Sequence, residues 1–130
     1  PNKKFELSAQ KVLIINRSNL LGKPLFHLFK HQNVDVEMIG RKGFNQKTEQ
    51  PQKLKKFDVI IAATGRKKLI TEDMVKEGVV AIDAGEPSPD FDQVQIETKA
   101  SFLTPVPGGV GPVTVVSLID NCLALARNML

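Results

Sequence analysis

Lys11-Val12-Leu13-Ile14-Ile15-Asn16-Arg17-Ser18-Asn19-Leu20-Leu21-Gly22-Lys23-Pro24 decides the fold. Its first half is a short continuous apolar run, the pattern of a strand buried on both faces rather than one with a solvated side. Its second half is a turn. Leu25-Phe26-His27-Leu28-Phe29-Lys30-His31 follows, with apolar residues at 25, 28 and 29 as a helix places them. A buried strand, a turn and a helix open a βαβ unit.

The rest of the chain repeats the theme. Val34 to Ile39 alternates as a second strand and closes on Gly40-Arg41-Lys42-Gly43, while residues 44 to 56 are polar, carry Pro51 and read as a loop with at most a short helix. Asp58 to Gly65 is another buried strand. Thr71 has the character of an N-cap, Glu72 and Asp73 suit the first turn of a helix, and Gly78 is its stop. Val79 to Gly85 is a third apolar run, residues 86 to 92 are turn-rich, 93 to 99 hold a helical turn, and Ala100 to Leu103 reads as a strand. From Val113 to Leu130 apolar residues recur every three or four positions, with Arg127 in the last turn, which predicts a long helix covering one sheet face.

Apolar strands alternating with helices form right-handed parallel units. The expected fold is therefore α/β: a Rossmann-like, doubly wound, mainly parallel sheet with helices on both faces, formed by residues 1–130 as one domain. In such sheets ligands bind beyond the carboxyl ends of the strands. The turns to inspect are Asn16 to Pro24, Gly40 to Lys42, Thr64 to Lys67, Gly85 to Pro87 and Thr104 to Thr114.

Composition narrows the class. The chain has 130 residues, ordinary apolar and charged content, and a formal charge of +4. Its lysines are interleaved with acids, Tyr and Trp are absent, and no nucleic-acid motif appears, so a solvated surface explains the charge and no nucleic-acid partner is expected. The single cysteine, Cys122, excludes an internal disulfide and lies in the apolar helical pattern, which predicts a buried core thiol. No uninterrupted apolar run reaches membrane-span length and the start lacks a signal-peptide core, so a cytoplasmic protein without a membrane partner is expected.

Among the turns, the one after the first strand lacks a G-x-G-x-x-G pattern. It offers Arg17, Ser18 and Gly22 before a helix, so a phosphate could be held by a helix N-terminus, a hydroxyl and a guanidinium; the alternative is a plain turn. Arg41 and Lys42 follow the second strand, where they either meet the extra phosphate of NADP or are two solvated cations. His27 and His31 are spaced to share a metal, but no third ligand stands at a supportive spacing and no metal is expected. Asp83 either serves a site or, the favoured reading, satisfies nearby backbone N–H groups. Thr104-Pro105-Val106-Pro107-Gly108-Gly109-Val110-Gly111-Pro112-Val113-Thr114 combines prolines that fix φ with glycines that leave the backbone bare, a surface suited to a flat ligand.

Taken together, these residues resemble the C-terminal NAD(P)-binding domain of the bifunctional methylenetetrahydrofolate dehydrogenase/methenyltetrahydrofolate cyclohydrolase family. Arg17 to Pro24 is similar to the family's G-R-S-x-x-V-G-x-P turn. Ile70 to Gly78, running into Ile82-Asp83-Ala84-Gly85, is similar to I-T-x-D-M-V-K-x-G…I-D-x-G, and Pro105 to Thr114 reproduces P-V-P-G-G-V-G-P-M-T with Val113 in place of Met.

The resemblance implies that Asn16, Arg17, Ser18 and Arg41 lie at the ribose and phosphates of NADP (or NAD). It implies that Thr64, Gly65, Gly85 and Glu86 line the nicotinamide side. Gly109, Val110, Gly111 and Thr114 are implied to touch the cofactor, and the wall Pro105, Val106, Pro107, Gly108, Gly109, Val110, Gly111, Pro112 and Val113 the folate substrate. No catalytic residue is implied here, because the family's Tyr-x-x-x-Lys pair belongs to an N-terminal catalytic domain absent from these 130 residues. A fragment inactive alone and a homodimer are the corresponding expectations.

The sequence also departs from the family. Asn16 replaces the first glycine of the first turn, where its side chain competes with cofactor for space. Glu86 stands in place of an isoleucine, and the N-R segment and G-D-V hairpin are deleted, leaving Asp90-Phe91-Asp92 as a remnant. The competing reading is a degenerate, non-catalytic Rossmann domain kept for dimerisation or partner binding; a nucleic-acid-binding module is the weakest.

Overall fold

Residues Lys11–Ile15 form β1, because four consecutive β-prone side chains, Val12 to Ile15, are buried from both sides. The structure, a computed structural model, describes residues 5–40, 44 and 51–129. The helix α1 follows at Gly22–His31, then the strand β2 at Asp35–Ile39, β3 at Val59–Ala62, β4 at Val80–Asp83, a short helix α2 at Gln93–Glu97, β5 at Phe102–Leu103, and the long α3 at Val110–Met129.

The five strands make one sheet in the order β2-β1-β3-β4-β5, and every pairing is parallel. This is the expected Rossmann-like α/β sheet. The chain winds outward from β1 to β2, then crosses back to β3, so strand order reverses between β1 and β3. That reversal leaves a crevice at their carboxyl ends, between Ile15 and Ala62, which are partners in register.

The strand pleat sends alternate residues into two cores. Leu13, Ile15, Ile60, Ala62 and Ala81 meet Leu54, Phe57, Ile70, Val75, Phe91 and Ile96 on one face. Val12, Ile14, Val59 and Ile61 meet Phe29, Val34 and Val36 on the other. In α1 the residues turned inward are Phe29 and, in part, Leu25 and Phe26, whereas Leu28, expected on the apolar stripe, is 50% exposed. Residues 72–74 form a single 3-10 turn instead of the expected helix. Thr71 adopts the extended N-cap backbone without capping an N–H, and Val75 is already extended, buried in the first core. Gly78, with φ +75°, is the turn residue it was expected to be.

The largest difference concerns α3. The helix exists, starting three residues earlier than expected, but it does not cover the sheet: every residue from Gly111 to Asn128 is exposed. Val80 and Ile82, packed at the margin of the second core, are only partly buried. Cys122 is correspondingly exposed rather than a core thiol. The apolar residues of α3 face all round the helix, so no single stripe directs it onto this sheet. By length and composition alone Val110–Asn128 is long and apolar enough to cross a membrane, although Asp120 and Arg127 break the apolar run.

Candidate functional site

The carboxyl ends of β3, β4 and β5 are tied together by two buried aspartates. Asp83 closes β4 with a fully buried side chain, and its carboxylate accepts hydrogen bonds from the N–H groups of Gly85 (3.0 Å), Asp90 (3.1 Å) and Phe91 (3.0 Å) and from Gln93 Nε2 (3.0 Å). Its backbone N–H donates to Thr104 Oγ1 at 2.7 Å, which anchors the start of the Pro/Gly stretch. Asp83 therefore satisfies backbone N–H groups, the favoured reading of its position. The Asp90 carboxylate accepts the N–H groups of Thr64 (2.7 Å) and Gly65 (2.8 Å). Burial, aided by the nearby Asp83 charge, pushes the Asp90 carboxyl above its ordinary value, even though the hydrogen bonds from Thr64 and Gly65 pull the other way.

Asp90-Phe91-Asp92 is thus a clasp. Ile70 and Phe91 form a parallel bridge, Ile70 N–H donates to Asp90 O at 2.9 Å, and Asp92 N–H donates to Ile70 O at 2.8 Å. Sequence reasoning treated this segment as what a deletion leaves and missed its work; the available signal was an acid on either side of an apolar residue in a turn-rich stretch.

Above this clasp lies a cleft of about 530 Å³, within the ~300–1,000 Å³ of ordinary small-molecule sites. It is lined by Leu21, by Asp83 to Glu86, by Pro105 to Pro112 and by Thr114. The structure so brings together Gly85, Glu86, Pro105, Val106, Pro107, Gly108, Gly109, Val110, Gly111, Pro112 and Thr114. Val113 is not part of the lining and is 64% exposed. Leu21 and Ala84 were not anticipated. The bare backbone is used in two ways: a Cβ on Gly109 would come within 2.3 Å of Pro105 O, so that glycine closes the turn, whereas one on Gly111 would meet nothing within 4 Å. Thr64 and Gly65 sit beneath rather than in this wall. Thr64 is buried, and Gly65, at φ +70°, lies so close under Glu86 O that a Cβ would fall 2.0 Å from it.

The residues of the β1–α1 turn gather at the neighbouring crevice. Asn16 is half-buried; its Nδ2 donates to Ala63 O at 2.7 Å, and its Oδ1 accepts from Ser18 N–H (2.8 Å) and Gly22 N–H (3.1 Å). Ser18 Oγ accepts Leu21 N–H at 3.1 Å, Ser18 O accepts Lys23 N–H at 3.0 Å, and Leu25 N–H bonds back to Leu21 O. These N–H groups at the start of α1 are satisfied within the chain, as in the plain-turn alternative. Arg17 is exposed and its side chain passes over Gly40, with Cδ 3.1 Å from where a Cβ would stand, so it links the first turn to the second. Arg41 lies outside the described residues. Among the described residues no cluster of His, Cys, Asp or Glu could hold a metal.

A parallel sheet with its strand order reversing at β1 and β3, and a Gly/Pro-walled cleft beyond the strand ends, defines a dinucleotide-binding domain of Rossmann type. The Pro/Gly cleft has room and a bare backbone, while the crevice between the ends of β1 and β3 is occupied by the Asn16 side chain. The family described as tetrahydrofolate dehydrogenase/cyclohydrolase, NAD(P)-binding domain, matches residues 1–130, and the chain belongs to it. It is 40% identical over 131 residues to the bifunctional protein FolD of Lactobacillus acidophilus, covering 95% of this chain and 44% of that protein. Among solved structures it is similar to the FolD methylenetetrahydrofolate dehydrogenase/cyclohydrolase of Campylobacter jejuni, with TM-score 0.82 and 34% identity over 95% of this chain and 45% of that one. It is also similar to the Trypanosoma brucei N5,N10-methylenetetrahydrofolate dehydrogenase-cyclohydrolase complexed with NADP cofactor and inhibitor, with TM-score 0.86 and 25% identity over 96% of this chain and 46% of that one. The chain thus spans a little under half the length of these relatives.

Proposed function

We propose that this chain is the cofactor-binding half of an NADP-dependent (or NAD-dependent) methylenetetrahydrofolate dehydrogenase and methenyltetrahydrofolate cyclohydrolase of cytoplasmic one-carbon metabolism. The observation that carries this is the cleft formed by Gly85, Glu86 and Pro105 to Pro112, held rigid from below by Asp83 and Asp90. In hydride transfer the protein supplies orientation and exclusion of water, and the cofactor supplies the redox chemistry. A proline-fixed wall over a fully hydrogen-bonded floor suits that role.

The folate would be shared with an N-terminal catalytic domain, so these residues alone would bind but not turn over. The exposed apolar surface of α3, including Val115, Val116, Leu118, Ile119, Leu123 and Leu125, supports burial against such a domain and gives a homodimer a surface to use. Amide chemical shifts recorded during NADP addition test the site. Perturbations are expected at Gly85, Glu86 and Gly108 to Gly111; changes confined to Gln93, Ser101 and Phe102, around the separate cleft beside β5, would contradict it.

A further inference from the structure

The crevice between the ends of β1 and β3 is bridged by one side chain. Asn16 directly follows β1, and its carboxamide reaches Ala63, just past β3, while its oxygen turns back onto the first N–H of α1. In open parallel sheets this crevice and this helix N-terminus are where an anionic group of a nucleotide is held, by free N–H groups and the helix dipole. Here Gly22 N–H and Ser18 N–H point at Asn16 Oδ1, Leu21 N–H at Ser18 Oγ and Lys23 N–H at Ser18 O. Pro24 has no N–H, and the first turn holds no acid that could do the same work. Gly22 lies so close to the end of β1 that a Cβ would fall 1.8 Å from Asn16 O, which keeps the carboxamide and the helix start in register.

We propose that Asn16 is an internal stand-in for the ligand's diphosphate and sets the dinucleotide affinity of this chain. Resting on the reading of the chain as an NAD(P)-binding domain, this makes the nicotinamide-ribose end the part seated in the Pro/Gly cleft, with the diphosphate displaced outward toward the exposed Arg17. Binding through the diphosphate then requires Asn16 to be pushed aside, so affinity is low by design of this one position. A smaller residue at 16 frees both N–H groups for phosphate oxygens and improves binding.

The test compares the parent chain with Asn16→Gly and Asn16→Ala, each checked for its fold by far-UV circular dichroism. Two probes are used: NADP by calorimetry and inorganic pyrophosphate by amide shifts. A charged hydrogen bond at a helix N-terminus corresponds to about a tenfold gain in NADP affinity for both variants. Pyrophosphate should shift the Ser18 and Gly22 amides in the variants and leave them unmoved in the parent. Asn16→Ala keeps the test decisive if the extra backbone freedom of glycine prevents folding. Folded variants that bind NADP no tighter than the parent would overturn the proposal. No NADP binding by any of the three would overturn the cofactor reading itself, whereas binding by the variants and not the parent supports both.

Discussion

Asp90 hangs from Asp83 by its own N–H, at 3.1 Å, and holds the Thr64-Gly65 turn with its carboxylate. Through this one relationship the end of β4 fixes the end of β3, and the loop between them becomes the floor of the cleft. Removing the Asp90 carboxylate leaves two N–H groups unpaired beneath the site. Asp90→Ala should therefore lower stability by at least about 2 kcal/mol in urea unfolding. A change under about 0.5 kcal/mol, the scale of a surface substitution, would show that the clasp is not held by this residue.

How much of this was legible depended on whether the sequence signal and its partner were both within the chain. β1 and β3 could be read because Val12 to Ile15 and Val59 to Ala62 are apolar at every position, which only burial on both faces explains. The Pro/Gly wall could be read because the stretch has little choice of conformation. The covering role of α3 was misread because helical periodicity records that a helix forms and not what lies against it. Cys122 followed the same error. Thr71 was misread because N-cap chemistry precedes a 3-10 turn as readily as a helix; here its hydroxyl bonds the Asp73 carboxylate. The Asp90 clasp escaped because its partners stand 26 and 25 residues away in sequence.

The two ends of the sheet should titrate in opposite senses. At the entry to β1 and β3, Asp58 accepts Lys11 N–H at 2.7 Å and pairs with Lys76; burial raises its pKa, but these contacts outweigh that and hold the carboxyl below its ordinary value. A lowered folded pKa contributes stability that is present above the ordinary Asp value of about 3.9 and is lost as pH falls through the lower folded value. Asp90 is raised, so its contribution is favourable at low pH and is lost as pH rises from the ordinary value through the raised one. Urea unfolding across pH should show Asp58→Asn flattening the acid side of the profile. Asp90→Asn should remove part of the decline that begins as pH rises past the ordinary Asp value, and an unchanged slope in both variants would contradict the assignments.

Gly22 and Gly65 have no room for a side chain. Gly22→Ala would place a Cβ 1.8 Å from Asn16 O, and Gly65→Ala would place one 2.0 Å from Glu86 O at φ +70°. Each should cost roughly 2–3 kcal/mol, because backbone rather than a flexible side chain must yield. Gly111→Ala, at a helical position with nothing within 4 Å, is the control and should leave stability unchanged or raise it by up to about 1 kcal/mol in the same denaturation assay.

The exposed apolar surface of α3 should make the isolated chain associate. Light scattering is expected to report assemblies that grow with concentration, and Leu118→Lys with Ile119→Lys, both exposed, should return the chain toward monomer. A parent chain that stays monomeric across the concentration range would contradict this.

Arg41 follows β2 in sequence, where the 2′-phosphate of NADP is expected. Arg41→Ala should weaken NADP by about tenfold and NAD by much less, measured by competitive titration. Equal losses for both cofactors would remove Arg41 from that role.

The most direct test of the central claim is a calorimetric titration of this 130-residue chain with NADP and, separately, with NAD. We expect saturable binding of NADP at one site per chain with a dissociation constant below about 1 mM, and weaker binding of NAD. Absence of binding by either nucleotide at millimolar concentration, in this chain and in Asn16→Ala alike, would contradict the account and favour a Rossmann domain retained for association alone.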